Sequence, residues 1–293
     1  MTAPAPPPST LFGLSSVAVL GAGWLGRPLA LALAAAGYRV RVSTTSAEKS
    51  AALAAENLPA HLLVLEPDSA PTDWQAFLGL ADALVVTLPP GLRGAPDPAA
   101  VATRHIARLA RLGALLAGTA VRRVVLLSST AVYPDLPGAP LLEEADADPT
   151  HPLARAEAAF LAALPVGTAG IIARLGGLMG PGRAPGRFFK EGQAIPQAAA
   201  PVNMLHLTDA IGAVRALLEA PTAAGAFAVC AAGPPSRADF YDAAARALGR
   251  PAPTLSKIDA ELVLGKKVSS ARLRHLTGYR FRYDEPLVAL AAC

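Results

Sequence analysis

The stretch "SVAVLGAGWLGRPLALALAAAGYRVRVSTT", residues 16–45, limits the fold more than any other part of the chain. A short apolar run from Ser16 to Leu20 reads as a buried strand, and an amphipathic helix over 24–36 follows it, ended by Gly37. Between them stand Gly21, Gly23 and Gly26, spaced GxGxxG. At that place Gly21 permits a tight turn, Gly23 lets the backbone approach a diphosphate, and Gly26 lets the helix pack closely on the strand. The turn residues Trp24 and Leu25 lie at the helix start, where unpaired amides face phosphate oxygens. Further strands are expected at "YRVRVSTT", "HLLVLE", "DALVVTLP", "RRVVLLSS" and "TAGIIARLG", with helices at about 47–57, 98–117 and 152–164. Strands alternating with helices make βαβ units, so the chain is read as α/β: a Rossmann-like, doubly wound parallel sheet.

After residue 175 the pattern changes, because "GGLMGPGRAPGRFFKEGQ" carries too much Gly and Pro for a regular element. Helices at 208–219 and 237–248 flank the strand-like "AFAVCAA". This divides the chain into a Pro-rich tail over 1–11, a dinucleotide-binding domain over 12–175, and a small substrate-facing lobe over 176–293. A segment at about 202–232 is expected to return to the first domain, and the cleft between domain and lobe is the expected site.

Hydrophobic residues make up 53% and charged residues 16%, as in a compact globular protein. The tail "TAPAPPPST" lacks the basic start of a signal peptide, and Arg27 and Pro28 interrupt the longest apolar run, so no membrane association is expected. Two cysteines, Cys230 and Cys293, suit a reducing compartment, and the expected location is the cytoplasm. The five histidines show no metal-ligand spacing, so no metal is expected. A net charge of +4 permits anionic small molecules; Arg104, Arg108 and Arg111 fall at helical spacing without a groove-reading motif, so nucleic acid is not an expected partner.

The second strand bears on which dinucleotide is held. A carboxylate about twenty residues past the glycines would accept the ribose hydroxyls of NAD and repel the 2′-phosphate of NADP. Here "VRVSTTSAEK" offers the hydroxyls of Ser43, Thr44 and Thr45, Arg41 and Lys49 nearby, and no acid before Glu48. NADP is therefore preferred over NAD, unless these hydroxyls only cap the next helix. Thr87, Leu88 and Pro89 end the fourth strand, where a cofactor face is expected.

At "VVLLSSTAVYP" the chain resembles the fifth strand of the extended short-chain dehydrogenases/reductases, the NAD-dependent epimerase/dehydratase group. "ARLGGLMGPGR" is similar to that family's Arg-led strand and "YGPG" loop, and "MLHLTDAIGAV" to its "HVxDVA" element. The combination most resembles the atypical bacterial YeeZ-like branch. The resemblance implies a catalytic Ser at Ser129, with Thr130 beside it on the substrate side, and next a YxxxK pair on the following helix. In "PTHPLARAE" that register holds His151 and Arg155 instead.

His titrates near neutral pH unaided, and a nearby Arg favours its neutral form, so His151 is a candidate proton carrier. Arg155 is a candidate contact to a ribose hydroxyl or phosphate. Alternatively, His151 is only a helix cap and the chain binds its dinucleotide without turnover. Arg183 and Arg187, with Lys190, lie on one loop suited to a substrate diphosphate or carboxylate, and Arg237 is a further substrate-side candidate. His206 and Asp209 match "HVxDVA", with Asp209 read as structural. The expected activity is that of an NADP-dependent oxidoreductase or epimerase/dehydratase-like enzyme on a polar small molecule, with a nucleotide sugar as one candidate. The alternative is a non-catalytic dinucleotide sensor. The helices at 98–117 and 152–164 resemble those through which the family dimerises, which makes a homodimer a candidate assembly.

Overall fold

The computed structural model describes residues 13–69, 71–92, 94–189, 194–254 and 263–293. The expected tail and Lys190 lie outside them. Seven strands form the main sheet: β1 Ser16–Leu20, β2 Arg39–Thr44, β3 Ala60–Leu62, β4 Ala83–Val86, β5 Arg123–Ser129, β6 Ala169–Leu175 and β7 Gly225–Val229. Their spatial order is β3-β2-β1-β4-β5-β6-β7. Pairs β1–β2, β2–β3, β1–β4 and β4–β5 are parallel, with Val17 opposite Val40 on one side and Ala83 on the other. The chain winds outward from β1 to β3, then returns to place β4 on the other flank of β1. That reversal is the switch point of a doubly wound sheet, beside which ligands bind at the carboxyl ends of the strands.

Every residue of β1 and β4 is buried, as strands covered on both faces must be. The helices are α1 Gly26–Ala35, α2 Ala47–Ala55, α3 Pro71–Leu78, α4 Pro98–Leu115, α5 Pro152–Ala163, α6 Leu207–Glu219, α7 Arg237–Arg246, α8 Ala271–Thr277 and α9 Pro286–Ala289. All the expected strands and helices form; α3 was not foreseen. Its buried Trp74, Phe77 and Leu78 carry helical spacing, but over only eight residues. In α4 and α5 the close approach is set by Gly113, where an added Cβ would stand 2.5 Å from that of Ala163. The arginines of α4 are neither free nor solvated only: Arg104 and Arg108 pair with Glu66, and Arg111 donates to the Ser69 carbonyl. Among the described residues, no helix is long and apolar enough to cross a membrane.

Two compact units divide the chain. The first takes the chain up to Ser128, then Pro149–Ile172 and Val214–Gly225. The second takes Ser129–Asp148, Ala173–Ala213 and Ala226–Cys293. The returning segment is thus shorter than 202–232, and the turn after β5 belongs with the C-terminal part.

At the amino end of β4, Asp82 gathers the start of β1. Its Oδ2 accepts the backbone N–H of Ser15 at 2.8 Å and of Ser16 at 3.0 Å, and the Ser15 hydroxyl at 3.0 Å. Burial pushes the Asp82 carboxyl up, but the bonds from Ser15 and Ser16 outweigh it and hold the group below its usual value. A depressed folded pKa stabilises above the unfolded carboxylate value and ceases to as pH falls through the folded one. Asp82→Ala is expected to lower stability by about 1–3 kcal/mol at pH 7. Urea unfolding at pH 7 and pH 3 should show the difference from wild type shrinking at the lower pH.

Candidate functional site

Beyond Leu20 the chain reverses through Gly21, at φ +102°, a conformation that an L side chain rarely adopts. The turn hangs from the two neighbouring strands. From β2, Ser43 accepts the Gly21 N–H on its Oγ at 2.9 Å and the Ala22 N–H on its carbonyl at 2.8 Å. From the end of β4, Thr87 donates its hydroxyl toward the carbonyls of Gly21, at 2.5 Å, and Leu20, at 3.1 Å.

The three glycines differ in what requires them. A Cβ on Gly26 would stand 1.9 Å from the Gly21 carbonyl oxygen, and one on Gly21 would stand 2.8 Å from Thr87 Oγ1. Among the described residues, a Cβ on Gly23 meets nothing within 4 Å, and Gly23 has no positive φ. The fold therefore needs Gly21 and Gly26, whereas Gly23 is exposed and borders open space. Helix α1 starts at Gly26 with no side-chain cap and no acid in its first turn, so the positive end of its dipole faces that space. Leu25 is buried and Trp24 half-buried beside it; Leu88 is half-buried and Pro89 exposed past Thr87.

The hydroxyls after β2 have separate employments. Ser43 is 2% exposed and holds the turn. Thr44 is buried and accepts the Ser46 N–H, Ser46 caps α2 by accepting the Lys49 N–H, and Thr45 is exposed. Arg41 turns to the carbonyls of Ala76 and Phe77, and Arg27 pairs with Glu56.

Helix α5 opens as its sequence suggests, with Pro152 in the first position. His151 is its N-cap: Nδ1 accepts the Leu153 N–H at 3.2 Å, and its carbonyl accepts the Arg155 N–H at 3.0 Å. An Nδ1 that accepts a hydrogen bond leaves the proton of a neutral imidazole on Nε2, so His151 in this state is a donor there, not a base. Arg155 lies on the exposed face of α5. The inward stripe is Leu153, Ala156, Glu157 and Phe160, and Glu157 accepts the Ser128 hydroxyl at 2.5 Å. No attention to His and Arg spacing finds Glu157; its signal is an acid at an i+4 position of an apolar stripe.

In the second unit, Ser129 caps the short turn Thr130–Val132 by accepting the Ala131 N–H at 3.1 Å, and Thr130 is buried within it. Tyr133 is 1% exposed, with its hydroxyl 3.3 Å from Arg174 Nη1 and the Arg174 guanidinium over its ring. Lys266 donates to the Tyr133 carbonyl and pairs with Asp135. Arg183 reaches the backbone carbonyl of Leu178, Arg237 that of Pro196, and Arg250 that of Gly186. Arg187 is exposed at the end of the turn Pro185–Arg187.

His206 packs on the Tyr283 ring at 4.2 Å, and Asp209, fully buried, accepts the Tyr279 hydroxyl and the N–H groups of Arg282 and Tyr283. Burial, then Asp209, pushes the Tyr279 phenol well above its usual range. Asp209 is thus a structural hub for the C-terminal segment, as read from its place at a helix start.

The model of the family described as NAD dependent epimerase/dehydratase matches residues 17–224. Protein YeeZ of Escherichia coli K12 is 34% identical over 284 residues, which cover 94% of this chain and 98% of YeeZ. The crystal structure of human epimerase family protein SDR39U1 with NADPH superposes with a TM-score of 0.70 at 23% identity, over 94% of this chain and 98% of that one. That of UDP-glucuronic acid 4-epimerase from Bacillus cereus in complex with NAD does so with a TM-score of 0.73 at 15% identity, over 94% and 96%. At these identities the two structures speak for the fold.

The suspension of the turn yields a stability prediction. Ser43→Ala leaves the Gly21 N–H without its acceptor and is expected to lower stability by about 1–3 kcal/mol in urea unfolding. Gly26→Ala, which drives a methyl group into the Gly21 carbonyl, is expected to cost more than Ser43→Ala in the same measurement.

Proposed function

The chain belongs to the NAD dependent epimerase/dehydratase family, and from that premise we propose that it binds a nicotinamide dinucleotide with the diphosphate against the Gly21–Gly26 turn. The observation that carries this is Gly23. No neighbour among the described residues excludes a side chain there, so a glycine is explained by a ligand that must come close to the backbone. The uncapped, acid-free start of α1 supplies the matching charge. NADP is the preferred form: no carboxylate stands at the end of β2, where Thr45 is exposed next to Ser46 and Lys49. Arg41 and Ser43 contribute less than their positions in the sequence suggest, since both are engaged within the fold.

The proposed activity is oxidoreduction or epimerisation of a polar carbonyl or hydroxyl compound, and a nucleotide-linked sugar fits the family. The bound dinucleotide would supply hydride exchange. Ser129 is assigned to polarising a substrate oxygen, His151 to proton exchange once its ring is released from the Leu153 N–H, and Arg155 to a ribose or phosphate oxygen. Thr130, Arg183, Arg187 and Arg237 are assigned to the substrate side. A second reading, a dinucleotide sensor without turnover, is favoured by one observation: the His151 Nδ1 is already occupied as a helix cap.

Thermal unfolding with NADPH, NADP, NADH and NAD tests the binding. NADPH is expected to raise the midpoint most, Gly23→Ala to remove the shift while leaving the ligand-free midpoint nearly unchanged, and absence of any shift in wild type would sink the proposal. His151→Asn separates enzyme from sensor, because Asn caps a helix well but carries no titrating proton. With a turned-over substrate, the enzyme reading expects an activity loss of about 100-fold or more with unchanged stability. An unchanged rate would leave His151 only its capping role.

A further inference from the structure

Helix α5 is built from alanines around an apolar stripe, and one member of that stripe is a carboxylate. Glu157 is 4% exposed, between Ala156 and the fully buried Phe160. A buried carboxylate is unfavourable unless it is held by hydrogen bonds, and an alanine or leucine would fill the stripe without that penalty. Glu157 accepts the hydroxyl of Ser128 on Oε1, which gives that buried oxygen a partner. Ser128 is the second-to-last residue of β5, half-buried, where the strand delivers the chain to Ser129. Strand β5 lies next to β4, whose end carries Thr87, and β4 lies next to β1, whose end carries the glycine turn. The pair therefore ties α5 to the carboxyl rim of the sheet, on which ligands of doubly wound folds are read. An apolar contact would hold helix to strand equally well, but it would leave sliding and rotation weakly specified; a directional hydrogen bond constrains both.

We infer that Glu157 is a positioning residue: through Ser128 it fixes the end of β5 and the rotation of α5, and so sets the affinity for the dinucleotide. This rests on the dinucleotide reading above. Helix α5 carries His151 as its cap and Arg155 on its exposed face, so its rotation decides where both point.

The test is NADPH affinity by titration calorimetry for wild type, Glu157→Ala, Ser128→Ala, the double variant and Glu157→Gln, each below its own unfolding midpoint. Glu157→Ala and Ser128→Ala are each expected to weaken binding by about tenfold, the worth of one hydrogen bond to a charged group. The double variant is expected to lose no more than either single one, and Glu157→Gln, which keeps an acceptor, to recover most of the affinity. If the variants unfold at lower temperature yet bind NADPH as wild type does, Glu157 is a structural staple only and the inference is overturned. Losses that add in the double variant overturn it as well. If wild type itself binds no dinucleotide, the reading beneath it fails first, and the inference falls with it.

Discussion

The turn from Gly21 to Gly26 hangs from two hydroxyls, and the rest of the first unit is arranged around keeping them there. Ser43 reaches it from β2 and Thr87 from β4, so the strands flanking β1 meet at its end. Backbone groups in a tight turn next to a buried strand cannot all reach water, and each needs a partner. The sheet order supplies those partners without a dedicated loop, because β2 and β4 both end beside β1. Glycine at 21 and 26 is then a steric consequence of that suspension. Glycine at 23 is not, and it is there that fold and function separate.

Most of the architecture was legible from residue pattern. Apolar runs such as "SVAVL" and "ALVV" leave no polar edge, and α4 and α5 declare themselves by Asp97 and His151 before Pro98 and Pro152. What escaped were pairings between residues far apart in the chain. Ser43 looked like a phosphate donor because nothing near it in sequence claims its hydroxyl; its partner, Gly21, lies 22 residues earlier. Asp209 was recognised as structural, yet its partners Tyr279, Arg282 and Tyr283 lie at least 70 residues away and could not be named. The division into units depends on distant contacts in the same way: one return of the chain, at about 202–232, was expected, whereas the chain passes between the units at Ser128, Asp148, Ile172, Ala213 and Gly225.

The candidate reaction residues were legible in part. A His before Pro152 satisfies both the capping pattern and the expected place of an acid-base pair, and local sequence does not separate the two roles. The structure adds that His151 performs the cap through Nδ1. It also shows that the acid α5 turns inward is Glu157, while Arg155 stays outside. The polar group that α5 directs at the sheet is thus a carboxylate, bonded to Ser128 near the end of β5.

Whether the open side of Gly23 receives a diphosphate is read most directly from a crystal structure of the protein grown with NADPH. The diphosphate is expected within hydrogen-bond distance of the amides between Gly23 and Gly26, at the start of α1. A diphosphate held elsewhere, with water alone over Gly23, would contradict this expectation.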